Sequence, residues 1–245
     1  IYLNGRGLKD YKNANLYSFD EITKKAKPIN IELEVKKLKD NDLAFYMYDE
    51  FEDAMYSISH EAITNNSKKI IKLNSLTPKD SIVSYLSLSI PTNLLFTYVT
   101  SIVSGMSLNL PESNQTIEKD LQEIGPTILY APSFVFKHII SSISYRIEAA
   151  TQANYERYNS HYDSLMKIYE KEVQGKSSLF DKIYKAYIML VTFAPAKNVF
   201  GLTKIKHAFV SDGVLSKVTF DFFHAIGVEI QHSFGQTSSC GCISV

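Results

Sequence analysis

Short apolar runs alternate along the chain with amphipathic stretches, the order of strands and helices expected of an α/β protein. The runs 43–48, 81–85, 107–110, 127–131, 206–210 and 228–232 read as strands. Between them lie helix candidates: a short one over 61–66, one over 92–104 behind Pro91, and one over 116–123. The third takes Thr116 as its N-cap and stops before Gly125 and Pro126. A fourth, over 215–225, places Leu215, Val218, Phe222 and Ala225 at helical spacing, with Gly227 just past its end.

The stretch 134–194 is different in kind. It shows helical spacing and no strand: Ile139, Ile143 and Ile147 follow at four-residue steps, then Leu165, Ile168 and Tyr169, then Ile183, Tyr187 and Leu190. Residues 160–176 are charged and rich in Tyr, which suits an outward helical excursion, and 174–178 reads as a loop. The expected organisation is one α/β unit with a helical insertion.

Composition narrows the classes. Hydrophobic content of 45% and charged content of 21% exclude disorder. With 26 basic and 26 acidic residues the net charge is zero, which argues against nucleic acid as a partner. The most apolar stretch, 82–110, is interrupted by Ser, Thr, Pro91 and Gly105, so it falls short of the roughly 18 apolar residues of a membrane span. Cys240 and Cys242 lie too close together for an ordinary disulfide and lack further metal ligands nearby, so reduced thiols and a cytoplasmic setting are expected. The chain opens at Ile1 with no signal-peptide pattern and ends at Val245 in a short apolar segment; both ends read as edges of a fragment.

Several segments carry a resemblance when taken in order. They are Ile1-Tyr2-Leu3-Asn4-Gly5-Arg6-Gly7-Leu8 with Leu16-Tyr17-Ser18-Phe19-Asp20-Glu21, then Asp42-Leu43-Ala44 with Tyr48, then residues 105–112. The most specific is the block 118–132, a helix, a Gly125-Pro126 stop and an apolar strand ending in Ala131-Pro132. The last is Phe222-Phe223-His224-Ala225-Ile226-Gly227-Val228, running to Phe234-Gly235-Gln236-Thr237 and Gly241. Together they resemble the bacterial long-chain fatty acid–CoA ligases of the adenylate-forming, AMP-binding superfamily. The resemblance implies a flavodoxin-like layered sheet with a helical insertion, residues 1–245 forming part of the N-terminal domain. The C-terminal lid domain would lie beyond Val245. It further implies a two-step ligase using ATP, Mg2+ and CoA on a fatty acid through an acyl-adenylate, cytoplasmic or peripheral to the membrane.

The chemistry-bearing segments depart from that family. Where it has T-S-G-T-T-G-x-P-K-G, this chain follows Tyr48 with Asp49-Glu50-Phe51-Glu52-Asp53-Ala54-Met55-Tyr56-Ser57-Ile58, with no glycine and no lysine. Two like charges about 4 Å apart repel by roughly 4 kcal/mol at an effective dielectric of about 20, so this segment should repel a polyphosphate. The acids fit a solvated helix start best; a metal site or an acidic binding surface are the other readings. Ser238 stands where the family's Y-G-x-T-E motif has its magnesium-binding glutamate, which leaves Thr237 as the sole candidate metal ligand. By family position the nucleotide contacts would be Ser211, Asp212, Gly213, Phe234, Gly235, Gln236 and Thr237, with Asp212 more simply the cap of the following helix. The segments Ser87-Leu88-Ser89-Ile90 and Ser133-Phe134-Val135-Phe136-Lys137 keep apolar bulk but not the family's proline, arginine and glutamate.

No residue stands out as catalytic. His60, His138, His161, His207, His224 and His232 show no metal-ligand spacing; His60 is expected to cap or orient a helix and His224 to pack. Tyr145, Tyr155, Tyr158, Tyr162, Tyr169, Tyr184 and Tyr187 suit a half-buried helical layer or a belt touching membrane. Packing segments persist while chemical ones do not, the pattern of a catalytically impaired acyl-CoA synthetase. The alternatives are a ligase that holds ATP differently, or a non-catalytic acyl-binding or scaffold paralogue paired with an intact synthetase.

Overall fold

The apolar runs pair into sheets in a computed structural model that describes residues 2–3 and 16–244. The chain divides into two compact units, Ile1–Asp42 and Leu43–Val245. In the first, helices α1 (Phe19–Lys25) and α2 (Ile31–Lys37) carry acids in their first turns and lysines in their last, which complements the helix dipole. Neither buries a residue, and neither is foreseen from periodicity. Residue 1 and residues 4–8 of the quoted opening lie outside the described residues.

The second unit runs β1 (Leu43–Asp49), β2 (Ala54–Ser59), α3 (His60–Asn74), β3 (Ser81–Val83), α4 (Pro91–Asn93), α5 (Thr100–Ser104), β4 (Ser107–Asn109) and α6 (Ile117–Ile124). It continues with β5 (Ile128–Pro132), α7 (Ser133–Glu148), α8 (Gln152–Val173), α9 (Leu179–Ile188), α10 (Ala194–Val199), β6 (His207–Ser211), α11 (Lys217–Ala225) and β7 (Glu229–His232). Wider π turns, Leu94–Val99 and Met189–Phe193, join α4 to α5 and α9 to α10. Among the described residues no helix is long and apolar enough to cross a membrane.

Strands β4-β3-β5-β6-β7 form one parallel sheet in that order, and β1-β2 form a separate antiparallel hairpin. Counted within the sheet the order is 2-1-3-4-5, a doubly wound arrangement whose direction reverses between β3 and β5. Strand β5 is buried along its whole length, and its side chains sort with the two-residue period of a strand. Leu129 and Ala131 join a core with Phe136, Ile139, Leu165, Phe222 and Phe223 from α7, α8 and α11. Ile128 and Tyr130 join a second core with Ile63, Ile70, Leu95 and Phe96, where the Phe96 and Tyr130 rings stack at 5.2 Å. A parallel sheet is covered on both faces, which is why its central strand reads as unbroken hydrophobic sequence.

Each expected strand is present to within two residues, and 134–194 is helical as expected, with Gln174 to Ser178 between α8 and α9. Four local readings need correction. Residues 49–53 do not start a helix; they turn the chain from β1 into β2. Helix α3 is 15 residues long rather than short, because Ser59 caps it and Ile63, Ser67, Ile70 and Asn74 share its buried face. Asp212 does not cap α11; Ser216 does, accepting from the Thr219 N–H at 3.2 Å. Thr116 sits at the N-cap position of α6, but its hydroxyl donates to the Asp120 carboxylate at 2.7 Å instead of capping a backbone N–H.

At the amino edge of the sheet Asp80, 3% exposed, binds three elements together. Its Oδ2 accepts from the Thr77 backbone N–H at 2.8 Å and the Thr77 hydroxyl at 2.9 Å. Its Oδ1 accepts from the Thr127 hydroxyl at 3.0 Å and Lys206 Nζ at 2.8 Å. Burial alone would push this carboxyl up, but Lys206 and the donors from Thr77 and Thr127 outweigh it and hold the group at about 2. A depressed folded pKa stabilises above the unfolded value of 3.8, and that stabilisation fades as pH falls toward about 2. Replacing Asp80→Asn should therefore cost about 2 kcal/mol in urea unfolding near neutral pH. The gap to the parent chain should close as the pH is lowered from about 4 to about 2.

Candidate functional site

Loops at the carboxyl ends of parallel strands leave a crevice where the strand order reverses. In the second unit those loops, with the β1–β2 hairpin, enclose a cavity of about 590 Å³. Tyr46, Met47, Tyr48, Asp49, Glu50 and Phe51 come from the hairpin, and Ser89, Ile90, Pro91 and Thr92 from the lead into α4. Asp212 follows β6, and Gly235, Gln236 and Thr237 follow β7. A smaller cavity of about 260 Å³, lined by Ile143, Tyr158, Tyr162 and Phe222 among others, lies among α7, α8 and α11 and holds no acid or base.

The hairpin turn is built around Asp49. Its Oδ1 accepts from the N–H groups of Phe51 at 3.0 Å and Glu52 at 3.2 Å. The nearby Thr237 hydroxyl, on a buried residue of the far wall, together with the Glu52 and Phe51 N–H groups holds the Asp49 carboxyl below its usual range. Asp53 adopts a left-handed φ of 47° to close the turn and accepts from the Tyr48 hydroxyl at 2.5 Å. The Tyr56 hydroxyl donates to Glu52. These carboxylates push both phenols up. In a phosphate-binding loop free N–H groups face the anion; here a side-chain carboxylate already takes them.

On the opposite wall the backbone approaches itself closely. A Cβ on Gly235 would meet the Gly241 carbonyl oxygen at 2.4 Å, and one on Gly241, φ 87°, would meet the Pro91 backbone at 2.8 Å. Only glycine permits that stacking of turn on turn. Gln236 donates through Nε2 to the Ser238 hydroxyl at 2.6 Å, so the group standing at the expected magnesium position is engaged within its own turn. Ser211 donates to Asp212 Oδ2 at 3.2 Å, and Ser133 to the Asp212 carbonyl at 3.0 Å. Beneath Thr92 and Asp212 lies the buried Tyr130 hydroxyl, whose pKa burial pushes up.

Of the expected nucleotide contacts, Asp212, Gly235, Gln236 and Thr237 line the cavity; Ser211, Gly213 and Phe234 do not. The sequence does not point to Tyr46, Met47, Pro91 or Thr92 as walls; their signal is the hairpin, weakly written in the alternation of residues 54–59. His60 is an exposed first residue of α3 behind the Ser59 cap, not the cap itself. The His224 ring takes the Ile230 N–H at 3.1 Å and stacks on Phe220, a packing role. Among the described residues no three His, Cys, Asp or Glu side chains converge to hold a metal ion.

The donor set decides what fits. Asp49, Glu50 and Asp212 face the cavity, and no Lys, Arg or His lines it. Asp49 is bonded to the N–H groups of its own turn and Ser238 to Gln236. A nucleotide triphosphate with its magnesium needs cations and free N–H groups beside the phosphates. The residues present do not fit it.

The parallel sheet with helices on both faces and the cavity at its carboxyl edge form the fold of the N-terminal domain of adenylate-forming enzymes. Residues 56–245 match the family model described as AMP-binding enzyme, and the chain belongs to that family. The match begins in β2, beyond the acidic turn. A nonribosomal peptide synthetase, FmoA3, solved in an AMPPNP-bound form, is similar over 83% of this chain and 17% of its own, at 11% identity and TM-score 0.54. The N-terminal domain of FACL13 from Mycobacterium tuberculosis, in an inhibitor-bound form, covers 84% of this chain and 39% of its own, at 11% identity and TM-score 0.51. A putative long-chain-fatty-acid CoA ligase from Rhodopseudomonas palustris gives the same coverage, 84% and 39%, at 11% identity and TM-score 0.51. The chain thus spans well under half of each of these three structures. No curated protein sequence matches it.

The glycine contact at the cavity wall is directly testable. Gly241→Ala adds a backbone clash to a left-handed φ, whereas Gly175→Ala, φ 68°, meets nothing within 4 Å and isolates the conformational strain. Gly241→Ala should therefore be the more destabilising of the two in urea unfolding, by a further 1–3 kcal/mol or about that.

Proposed function

We propose that this chain keeps the scaffold of an acyl-CoA synthetase without its ATP-dependent step, and acts by binding. The observation that carries the reading is the turn after β1: Asp49 consumes the N–H groups of Phe51 and Glu52, and three carboxylates face a cavity with no cation. Family membership supports the scaffold, and the likeness to FACL13 and to the Rhodopseudomonas palustris protein favours a long-chain acyl group as the ligand class. Among the described residues no group of His, Cys, Asp or Glu side chains converges that could hold magnesium. The two free cysteines, Cys240 buried and Cys242 half-buried, suit a cytoplasmic setting. The second reading, a structural partner of an intact synthetase, shares the same loss and differs only in needing no acyl ligand.

Calorimetric titration of the chain with Mg-ATP and separately with palmitate tests this. Heat of binding with palmitate and none with Mg-ATP up to about 1 mM, equivalent to a binding free energy weaker than about −4 kcal/mol, is the expected result. Micromolar binding of Mg-ATP would overturn the proposal, and binding of neither ligand would leave the structural-partner reading in its place.

A further inference from the structure

Helix α9 is amphipathic in the wrong direction for a helix of a finished surface. A surface helix turns its apolar stripe to the core and its charges to water. Toward α8, however, α9 presents ion pairs: Asp181 with Lys171 at 2.8 Å and Lys185 with Glu172 at 2.7 Å. Exposed are Leu179, Phe180, Ile183 and Tyr184 of α9 and Leu190 of the following π turn, with Phe180 84% exposed and Leu190 74%, while Tyr187, half-exposed, also packs edge-on against His161 of α8 at 5.9 Å. Their spacing of three and four residues makes one continuous stripe. Ile188, fully buried, fixes the rotation of the helix, so the stripe cannot roll inward without expelling it.

The charges around the stripe say what covers it. Residues 167–190 carry lysines at 167, 171, 176, 182 and 185 and acids at 170, 172 and 181, an excess of five minus three, or two positive charges. Lys171 and Lys185 are paired with Asp181 and Glu172, which leaves Lys167, Lys176 and Lys182 against Glu170. The whole chain is neutral, so this excess is local to the insertion. The Tyr184 and Tyr187 rings stack with centroids 6.3 Å apart, apolar bodies with polar tips of the kind that settle at a lipid headgroup boundary. A second copy of the chain would bring its own lysines against these, which disfavours a self-interface.

We propose that α9 docks this protein on an anionic lipid surface, with Phe180, Ile183 and Leu190 entering the headgroup boundary and Lys176 and Lys182 facing lipid phosphates. The inference is independent of whether the cavity at the sheet edge binds nucleotide. It is tested by cosedimentation of the chain with vesicles of phosphatidylcholine alone and of phosphatidylcholine with phosphatidylglycerol. Binding is expected to the anionic vesicles and to fall as salt is raised. The double variant Phe180→Ser, Ile183→Ser should lower the partition coefficient about tenfold or more, and Lys182→Glu should weaken binding to anionic vesicles only. Because these side chains are exposed, the thermal unfolding of the variants should match the parent, which separates lost docking from lost folding. Absence of vesicle binding, or binding indifferent to the double variant, overturns the proposal. So does a lipid-free dimer that the double variant converts to monomer, since the stripe would then be a self-interface.

Discussion

A buried carboxylate without partners would cost several kcal/mol or titrate away. Asp80 avoids both outcomes because Thr77, Thr127 and Lys206 complete its hydrogen bonding, and those partners lie at the entries to β3, β5 and β6. Satisfying one charge therefore aligns the starts of three strands. The register follows from there: Ser81 and Thr127 exchange bonds beside it, and the Thr127 carbonyl receives the Lys206 N–H at 2.8 Å. With the amino ends fixed, the two-residue alternation of β5 can serve two cores at once. The helical insertion then packs against a sheet that is already specified.

The carboxyl edge is held differently. No charge cluster pins it; close backbone contacts among Gly235, Gly241 and Pro91 shape one wall, and a self-contained turn shapes the other. Asp49 bonds the N–H groups of its own turn, so the hairpin tip is satisfied without any ligand. That independence is the physical reason the turn can carry four acids at no cost to the sheet beneath.

What the sequence made legible follows the same division. The six strands expected from apolar runs are present because each is covered by helices or paired in the hairpin, so that burial reinforced propensity. Helices with a strong stop, such as α6 before Gly125 with φ 56°, are placed almost to the residue. Strand β2 was masked by the acids before it, since acids also suit a helix start; the turn chemistry lies in Asp49 bonding N–H groups two and three residues on, which composition does not reveal. Asp212 resembles a cap in sequence, but its left-handed φ of 51° turns the chain at the end of β6 and leaves Ser216 to start α11. Helices α1 and α2 lacked any signal because no buried stripe exists in either. At the site, four of seven family positions line the cavity; of the others, Ser211 is buried and Phe234 is exposed.

The insertion adds a constraint that neither edge of the sheet explains. A helix that packs through the half-buried pair Lys185–Glu172 and the more exposed pair Lys171–Asp181 gains little from burial of apolar area, and an exposed ion pair contributes at most about 1 kcal/mol. Its anchorage to the unit comes instead from Ile188, from Phe193 in the following π turn, and from His161, which hydrogen-bonds Thr192 at 2.6 Å. Such a helix is secured at its end and free along its face. An apolar face held outward by packing at one end is positioned to meet something, and the sheet behind it does not have to move when it does.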